Sequence, residues 1–466
     1  PSNPFQLVAQ HPLSTFSTDV DTASYSLMRR FLKDQNQLPP PDAVRIEELV
    51  NYFDYDYPQP RGDAPVSMIP EVSACPWNKD HRLVRFAIQA RSIKSENTPP
   101  RNLVFLIDVS GSMNETNKLP LVKEGLGLLI DQLTAKDRVS IVVYAGNAGV
   151  ALPSTAGDQK DTIRAAVNGL GAGGSTNGAG GIVEAYKEAH KNFTAAGVNR
   201  VILCTDGDFN VGTTSEGDLV RLIEEHRNKG VYLTALGFGM GNLKDSTIMK
   251  LANHGHGHYA YIDSLAEAKK VFVEEGMSLV TLAQDVKVQV EFNPKTVAAY
   301  RLIGYEKRLM RHEDFNDDTK HAAVLGCGHR VTVLFEIAPA GKSVDVATVD
   351  PLRYQTAPEL SRKADSDELM TVKIRYKAPL GQTSKLLEAP VEDAGKKFDE
   401  ASADFRFAAA VAAFGRILRD KPENAGINLG GVREIAESAK GADARGYRAE
   451  FVELVKLAEK LSKQPK

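Results

Sequence analysis

The fold of this 466-residue chain is decided by the stretch LVFLIDVSGS at residues 103–112. Its first half is a run of five large apolar residues, which is typical of a strand that is buried on both faces of a parallel sheet. Asp108, Ser110 and Ser112 follow that run directly, so one carboxylate and two hydroxyl groups lie on a single turn at the end of the strand. Because open α/β sheets bind ligands at the carboxyl ends of their strands, the stretch predicts a ligand site as well as a strand.

The sequence around this stretch alternates short apolar strands with longer helices from residue 101 to about residue 278. The first four strands are nearly continuous runs of valine, isoleucine and leucine. This alternation predicts a doubly wound α/β domain, in which a mainly parallel sheet is covered by helices on both faces. The predicted strands are 103–107, 139–144, 201–204, 231–236 and 259–262, and the predicted helices are 119–133, 158–170, 179–193 and 216–229.

Strands of a different kind flank this domain on both sides. Apolar residues recur with period two along 83–90 before it, and along 286–292, 331–337 and 369–376 after it. Since two separate half-sheets would leave unpaired edges, the simplest prediction is one β-sandwich into which the α/β domain is inserted. The predicted units are a helical segment at 1–62, the sandwich at 63–100 and 279–392, the α/β domain at 101–278 and a helical region at 393–466.

Two further polar loops are predicted at the same edge of the parallel sheet. The segment GGSTN at 173–177 precedes a helix, and TDGD at 205–208 follows the strand at 201–204. Hydroxyl and carboxylate oxygens select Mg²⁺, with Mn²⁺ or Ca²⁺ as alternatives, over zinc. If one or both carboxylates bind through water, the ion stays electrophilic and attracts a carboxylate from another molecule. The candidate ligands, all of them oxygen donors, are Asp108, Ser110, Ser112, Thr176 and Asp206.

In their order and spacing these five residues resemble the metal-ion-dependent adhesion site of von Willebrand factor type A domains. The resemblance covers about residues 101–278. It implies that Ser110, Ser112 and Thr176 ligate the metal, and that Asp108 and Asp206 often act through water. The whole chain also resembles a bacterial family of envelope lipoproteins, in which a type A domain lies between an N-terminal segment and a C-terminal domain. The segments that carry this second resemblance are 38–57 and 300–305.

Composition excludes several classes of function. The 57 basic and 60 acidic residues give a net charge of −3, so there is no general attraction to nucleic acid or to an anionic membrane. No apolar run approaches the roughly 20 residues of a transmembrane helix. The sequence lacks a nucleophile elbow, a Walker A motif and a dinucleotide-binding motif. We therefore expect a binding protein and not an enzyme.

The function predicted from these features is metal-dependent protein binding in the bacterial cell envelope, with a partner that presents an Asp or Glu side chain. Because the sequence begins at Pro1 and not at Met, we expect a processed precursor, with a signal segment and a lipid anchor upstream. The first alternative is an adaptor subunit for a ring ATPase, since type A domains also serve such machines. The second is a magnesium-dependent phosphoester hydrolase, which lacks an evident general base.

The segment HGHGH could bind a metal ion through its three histidines, His254, His256 and His258. Alternate histidines on an extended piece point to one side and do not close a tetrahedron. A polar loop is therefore the favoured interpretation, with adventitious metal binding as the alternative.

Charged and sulfur residues elsewhere receive structural interpretations. Asp21 is predicted to cap a helix, and Asp19 to lie in a solvated turn. The basic residues within 301–311 predict a solvated strand face. Cys75 and Cys327 fall in the proposed sandwich, where they either pair, if the chain is periplasmic, or stay free.

Overall fold

The structure, a computed structural model, describes residues 2–175, 177–207, 215–239, 245–342, 344, 346, 353, 359–379, 381–420 and 425–463. Its strands are, in chain order, β1 (Gln6–Leu7), β2 (Leu13–Ser17), β3 (Val66–Cys75), β4 (Asn78–Ala90), β5 (Arg101–Asp108), β6 (Arg138–Tyr144), β7 (Ala148–Ala156), β8 (Val198–Thr205), β9 (Tyr232–Phe238), β10 (Tyr259–Ile262), β11 (Thr281–Phe292), β12 (Val297–Ile303), β13 (Ala323–Gly326), β14 (Arg330–Pro339), β15 (Glu368–Lys377) and β16 (Ser384–Glu392). Its α-helices are α1 (Ala23–Lys33), α2 (Ile46–Val50), α3 (Leu119–Gln132), α4 (Lys160–Asn168), α5 (Gly178–Lys191), α6 (Glu216–Asn228), α7 (Asp245–His254), α8 (Leu265–Lys269), α9 (Ala403–Arg419), α10 (Leu429–Ser438) and α11 (Tyr447–Ser462).

The central sheet has the strand order β10-β9-β8-β5-β6-β7, and every pair in it is parallel except β6 with β7. Alternate residues of β5 face two different cores. Leu103, Phe105 and Ile107 pack on the side of α3, whereas Val104 and Leu106 pack on the side of α5. The predicted doubly wound α/β domain is therefore confirmed.

Three elements of this domain are absent from the sequence-based prediction: β7, α7 and the short α8. Most residues of β7 are exposed or half-exposed, so this antiparallel edge strand has no apolar run that would reveal it. Helix α7 lies between the glycine-rich stretches 237–242 and 255–257, which indicate turns when they are considered alone.

Two antiparallel sheets form the second layer system. One has the order β1-β12-β14-β4-β3, and the other has the order β13-β11-β15-β16, with β2 paired to β11. Residues from both sheets share one core, in which Phe86 and Phe335 of the first sheet meet Phe292 and Ile374 of the second. Strands β3 and β4 precede the central sheet in the chain and β11 to β16 follow it, so the α/β domain is inserted between the parts of this sandwich.

The sequence predicts a helical N-terminal segment at 1–62. The structure shows that this segment also contains strands. Strand β1 extends the first antiparallel sheet through β12, and β2 pairs with β11 of the second. After α1, the helical part of this segment consists of a 3₁₀ turn at Pro41–Ala43 and the short α2. Strands β1 and β2, of two and five residues, show no alternation of apolar and polar residues that would predict them. They form only because a partner strand completes their hydrogen bonds.

The C-terminal helices cover the outer face of the first antiparallel sheet. Helices α9, α10 and α11 share a core with α1 and α2, and that core includes Leu83 and Leu334 of the sheet. Phe407 and Phe414 of α9 and Phe451 of α11 are fully buried there, and the helical region predicted at 393–466 is helical in the structure. Among the residues that the structure describes, none of the helices combines the length and the hydrophobicity needed to cross a bilayer.

The structure contradicts the predictions for Asp21 and for the basic residue Arg308, and it decides the question of a disulfide between Cys75 and Cys327. Asp21 does not cap α1 but is buried, accepting hydrogen bonds from the backbone N–H of Tyr259 at 2.7 Å and from Arg308 at 3.1 Å. Arg308 therefore lies in a buried ion pair and not on a solvated strand face. Cys75 and Cys327 are both buried and free, so the pairing that the sequence left open is not formed.

Glu336 of β14 is the centre of a buried polar cluster between the sandwich and the C-terminal helices. Its side chain is 1% exposed and accepts hydrogen bonds from Trp77 at 2.8 Å and from Arg301 at 2.5 Å, while Nδ1 of His81 lies 2.6 Å from Oε1. Burial raises the pKa of Glu336, but the contacts with His81 and Arg301 outweigh burial and lower it to about 2.

Glu336→Gln is expected to lower the free energy of unfolding by about 3 kcal/mol at pH 7, because a pKa depressed from 4.5 to about 2 corresponds to that amount. This contribution is complete above pH 4.5 and is lost as the pH falls toward 2, so the difference from wild type should shrink over that range. Urea unfolding at pH 7 and at pH 3 measures it. Glu291→Gln, at a half-exposed surface ion pair, is the control and should change stability by less than about 1 kcal/mol. A deficit of equal size at both pH values would contradict the prediction.

Candidate metal centre

The candidate site lies at the carboxyl edge of the central sheet, where two neighbouring strands end in carboxylates. Asp108 is the last residue of β5, and Asp206 follows the last residue of β8. The two strands are parallel partners, with Ile107 opposite Cys204, so both acids emerge at the same edge. The sheet topology therefore brings together two predicted ligands that are 98 residues apart in the sequence.

The serine turn after β5 presents its oxygens as a compact group. The N–H of Ser110 donates to Oδ1 of Asp108 at 2.8 Å, which holds the turn against the end of the strand. The Oγ atoms of Ser110 and Ser112 lie 3.1 Å apart. Two oxygens at adjacent corners of a magnesium octahedron are separated by about 3 Å, since each lies about 2.1 Å from the ion. The spacing of the two hydroxyls therefore fits shared coordination of a small hard cation.

The glycine-rich loop is fastened to this turn by backbone hydrogen bonds. Gly173 donates to the carbonyl of Val109 at 2.7 Å, and Gly111 donates to the carbonyl of Gly174 at 3.1 Å. Gly174 has a φ of +85°, a conformation that glycine adopts without the strain of a side chain. The two loops thus form one surface at the sheet edge.

Two polar residues of the loops predicted at this edge cannot be placed, and a third has a structural role. Thr176 and Asp208 lie outside the described residues, so the ligand role of Thr176 stays a prediction. Asn177 caps α5, and its Oδ1 accepts from the N–H of Gly180 at 3.3 Å. Capping accounts for the asparagine without a role at the metal.

The electrostatics of Asp108 favour a cation. Burial raises the pKa of its carboxyl and the nearby Asp206 adds to the effect, while hydrogen bonds from Ser110 oppose it. Within the part of the chain that the structure describes, Oδ2 of Asp108 is buried and has no hydrogen-bond partner of normal geometry. A buried carboxylate oxygen without a well-formed hydrogen bond is costly, and a bound cation removes that cost. The donor set present therefore fits a divalent hard ion.

Lys118 is a member of this site that the sequence did not predict. Its ammonium group donates to the carbonyl of Ser112 at 2.9 Å, to Glu115 at 3.1 Å and to Asp206 at 3.2 Å. Burial lowers the pKa of Lys118, but these acceptors outweigh burial and raise it. A lysine at the N-cap of α3 opposes the helix dipole, and this local conflict is the sequence signal that could have identified it. Lys118 therefore links the serine turn to Asp206 and supplies a positive charge to that carboxylate.

The histidine segment differs from the predicted polar loop. His254 ends α7 and its Nδ1 lies 2.8 Å from Glu224, while His256 is only 6% exposed. The prediction is therefore wrong for His256, because the junction of this loop with the sandwich buries it. None of the three histidines belongs to the oxygen site of β5 and β8.

Comparison with family profiles divides the chain into three matched regions. The von Willebrand factor type A domain matches residues 102–274, and the family described as von Willebrand factor matches residues 1–85. The family described as the C-terminal region of Uncharacterized protein YfbK matches residues 277–461. The matched central region coincides with the doubly wound domain.

Curated proteins resemble the chain at two scales. It is 44% identical over 465 residues to Uncharacterized protein YfbK of Escherichia coli (strain K12), a match that covers 98% of this chain and 80% of that protein. It is 29% identical over 150 residues to human inter-alpha-trypsin inhibitor heavy chain H4, a match that covers 30% of this chain and 16% of that protein.

Solved structures resemble it at lower identity. A von Willebrand factor type A protein from Catenulispora acidiphila aligns with 81% of this chain and 87% of its own length, at 17% identity and a TM-score of 0.42. BatB from Bacteroides thetaiotaomicron aligns with 38% of this chain and 97% of its own length, at 19% identity and a TM-score of 0.33.

Proposed function

The chain belongs to the YfbK family of von Willebrand factor type A domain proteins, and from this premise we propose that it is a metal-dependent protein-binding module of the bacterial cell envelope. A type A domain indicates protein–protein interaction as the general role. The metal dependence, the acidic partner and the envelope location are the specific parts of the proposal.

The observation that carries the proposal is the chemistry of the serine turn. The two serine oxygens lie 3.1 Å apart beside a buried carboxylate oxygen that has no hydrogen-bond partner of normal geometry among the described residues. We propose that Ser110, Ser112 and Thr176 bind Mg²⁺ directly and that Asp108 and Asp206 hold it directly or through water. Mn²⁺ and Ca²⁺, which prefer the same oxygen donors, are the alternatives.

The partner is proposed to contribute an Asp or Glu carboxylate. Ser110 is buried whereas Ser112 is exposed, so the turn has one side packed on the domain and one side open to solvent. When bound there, Mg²⁺ supplies a positive charge that an outside carboxylate can reach. Ser112 and its neighbours then position that carboxylate, while Lys118 donates to Asp206.

We propose binding without catalytic turnover. In the part of the chain that the structure describes, the groups that contact the site are carboxylates, hydroxyls and the ammonium of Lys118, which donates three hydrogen bonds and has a raised pKa. A protonated ammonium of this kind does not act as a general base near neutral pH. A preparation that hydrolyses a generic phosphoester with added Mn²⁺, and loses this activity in Asp108→Ala, would instead support the hydrolase.

The deciding experiment is a pull-down from bacterial envelope extract with the immobilised chain. We expect a partner that is captured in Mg²⁺ and released by EDTA, and we expect Ser110→Ala to lose at least about 90% of that capture, because it removes a direct ligand. Ser175→Ala removes an exposed hydroxyl in the neighbouring loop and is the matched control, which should capture as well as wild type. Capture that survives both EDTA and Ser110→Ala would place the contact elsewhere.

The envelope location is tested separately. It rests on the resemblance of the whole chain to envelope lipoproteins, and cell fractionation with an antibody to the chain measures it. Recovery in the soluble cytoplasmic fraction would favour the adaptor for a ring ATPase.

A further inference from the structure

A second group of metal-binding side chains lies where the central domain meets the sandwich. His256 precedes β10 of the central sheet, Asp285 belongs to β11, and His321 precedes β13. One ligand atom from each of the three residues lies within 4.8 Å of the other two. The group therefore joins two layer systems, and it is separate from the oxygen site on the edge of β5 and β8.

Two of the distances within this group are close to those around a tetrahedral ion. Nε2 of His256 lies 3.7 Å from Oδ1 of Asp285, and Nδ1 of His321 lies 3.2 Å from the same oxygen. Nitrogen and oxygen ligands about 2.0–2.1 Å from zinc are separated by about 3.3 Å along the edges of a tetrahedron. Two imidazoles and a carboxylate are also a known catalytic zinc set, in which water takes the fourth position.

His256 itself indicates a ligand. Its ring is 6% exposed, and neither ring nitrogen has a hydrogen-bond partner among the described residues. A buried polar group without a partner requires an explanation, and an ion is one. The backbones of both His256 and Asp285 have a φ of +53°, a strained conformation for residues with a side chain. Such strain persists where the surrounding fold holds side chains in particular positions.

The protonation states also suit a metal. Burial and the nearby Arg227 lower the pKa of His256 to about 3, so its ring is neutral at pH 7. Burial opposes ionisation of Asp285, but hydrogen bonds from His321 and Lys377 hold the pKa of this carboxyl well below its usual range. A neutral imidazole and an ionised carboxylate are the forms that bind metal.

Two positively charged side chains, Lys377 and Arg227, lower the affinity of His256, Asp285 and His321 for a metal ion. Lys377 donates to Oδ2 of Asp285 at 2.9 Å, which leaves Oδ1 as the oxygen nearest the two rings. Arg227 lies 2.8 Å from Nε2 of His321, so a metal on Nδ1 requires the ring proton to move to Nε2 and Arg227 to withdraw. Arg227 keeps a second contact, to the carbonyl of His254 at 2.9 Å. The group is therefore expected to bind zinc more weakly than a site free of such neighbours.

We propose that His256, Asp285 and His321 form a zinc site that links the inserted α/β domain to the β-sandwich. His321 is 46% exposed and provides the entry path, while His256 and Asp285 are buried. Because both halves of the junction contribute ligands, the bound ion stabilises the contact between them as any ligand of the folded state does.

Zinc binding to the full chain tests the proposal. The protein is stripped with EDTA, returned to millimolar Mg²⁺, and dialysed against Zn²⁺ in the same Mg²⁺ buffer. We expect one zinc per chain, a tetrahedral visible spectrum with Co²⁺ and a higher unfolding midpoint with zinc. His321→Ala should weaken binding by at least about 100-fold, since even outer-shell changes cost 10- to 100-fold. The partly exposed position of His321 should let this variant fold.

The control variants separate the alternatives. His254→Ala changes a histidine of the same segment outside the group, and Asp108→Asn changes the oxygen site, so both should keep the zinc. Any of three results would overturn the proposal: no stoichiometric zinc in wild type, equal losses in His254→Ala and His321→Ala, or loss of the zinc in Asp108→Asn. The second would indicate adventitious binding to the histidine segment, and the third would place zinc in the oxygen site.

Discussion

Asp108→Asn is expected to weaken Mg²⁺ binding by at least about 100-fold, and to leave the metal-free chain as stable as wild type or more stable. The loss follows because a neutral amide replaces a carboxylate at the centre of the donor set, and outer-shell changes alone cost 10- to 100-fold. The stability follows because burial raises the pKa of Asp108, which means that its ionised form is costly in the fold. An amide keeps the acceptor for the N–H of Ser110 and removes the charge.

Two measurements on the same preparation check this prediction. Isothermal titration with Mg²⁺ gives the affinity, and urea unfolding in EDTA gives the stability of the metal-free chain. Asp131→Asn is the matched control, because Asp131 is a surface acid with 57% of its side chain exposed. It should change neither quantity beyond about 0.5 kcal/mol. Unaltered Mg²⁺ affinity in Asp108→Asn would show that the ion binds elsewhere.

Arg29→Met is expected to lower the free energy of unfolding by about 3–5 kcal/mol. Arg29 of α1 makes a two-point contact with Asp263 at 2.5 and 2.9 Å and donates to Glu267 at 2.8 Å. It also donates to Glu450 of α11 at 3.1 Å and to Tyr52 at 3.0 Å. The guanidinium thus joins the N-terminal segment, the central domain and the C-terminal helices. Its removal leaves Glu267, which is 1% exposed, as a buried carboxylate without this partner.

Lys33→Met provides the comparison for Arg29→Met. Lys33 also belongs to α1 and contacts Glu450 at 2.6 Å, but 41% of its side chain is exposed. Solvent screens such a pair, so its loss should cost less than about 1 kcal/mol. Guanidinium unfolding midpoints of the two variants and wild type measure the difference. Equal effects of the two substitutions would contradict the role of Arg29 as the buried link.

Parts of the fold that depend on local pattern were predictable. The strand that contains Leu103 and Ile107 was found because a continuous apolar run is a property of a few neighbouring residues. The helical region at 393–466 is also predictable, because apolar residues such as Phe407 and Phe414 recur there at helical spacing. Both side chains are buried in the core. Strands β2 and β7 are not predicted, since their sequences contain no continuous apolar run. They form because they pair with β11 and β6.

The part of the candidate site that lies on neighbouring residues or at the end of a parallel strand was also predictable. Asp108, Ser110 and Ser112 share one turn, and their common position follows from the strand that precedes them. Asp206 required only the rule that parallel strands present their carboxyl ends at one edge. Lys118 was not found, because its contact with Asp206 spans 88 residues and depends on where α3 starts relative to β8.

The sequence by itself determined the class of the central domain, the position of Asp108, Ser110 and Ser112 on one turn at its edge and the flanking period-two strands, because runs and periods are read over a few neighbouring residues. Only the tertiary structure decided that Arg29 and Asp21 are buried in ion pairs, and that His256 meets Asp285 and His321. Such contacts join residues from different units of the fold. Their energies depend on burial and mutual distance, and both are set only when the units pack together.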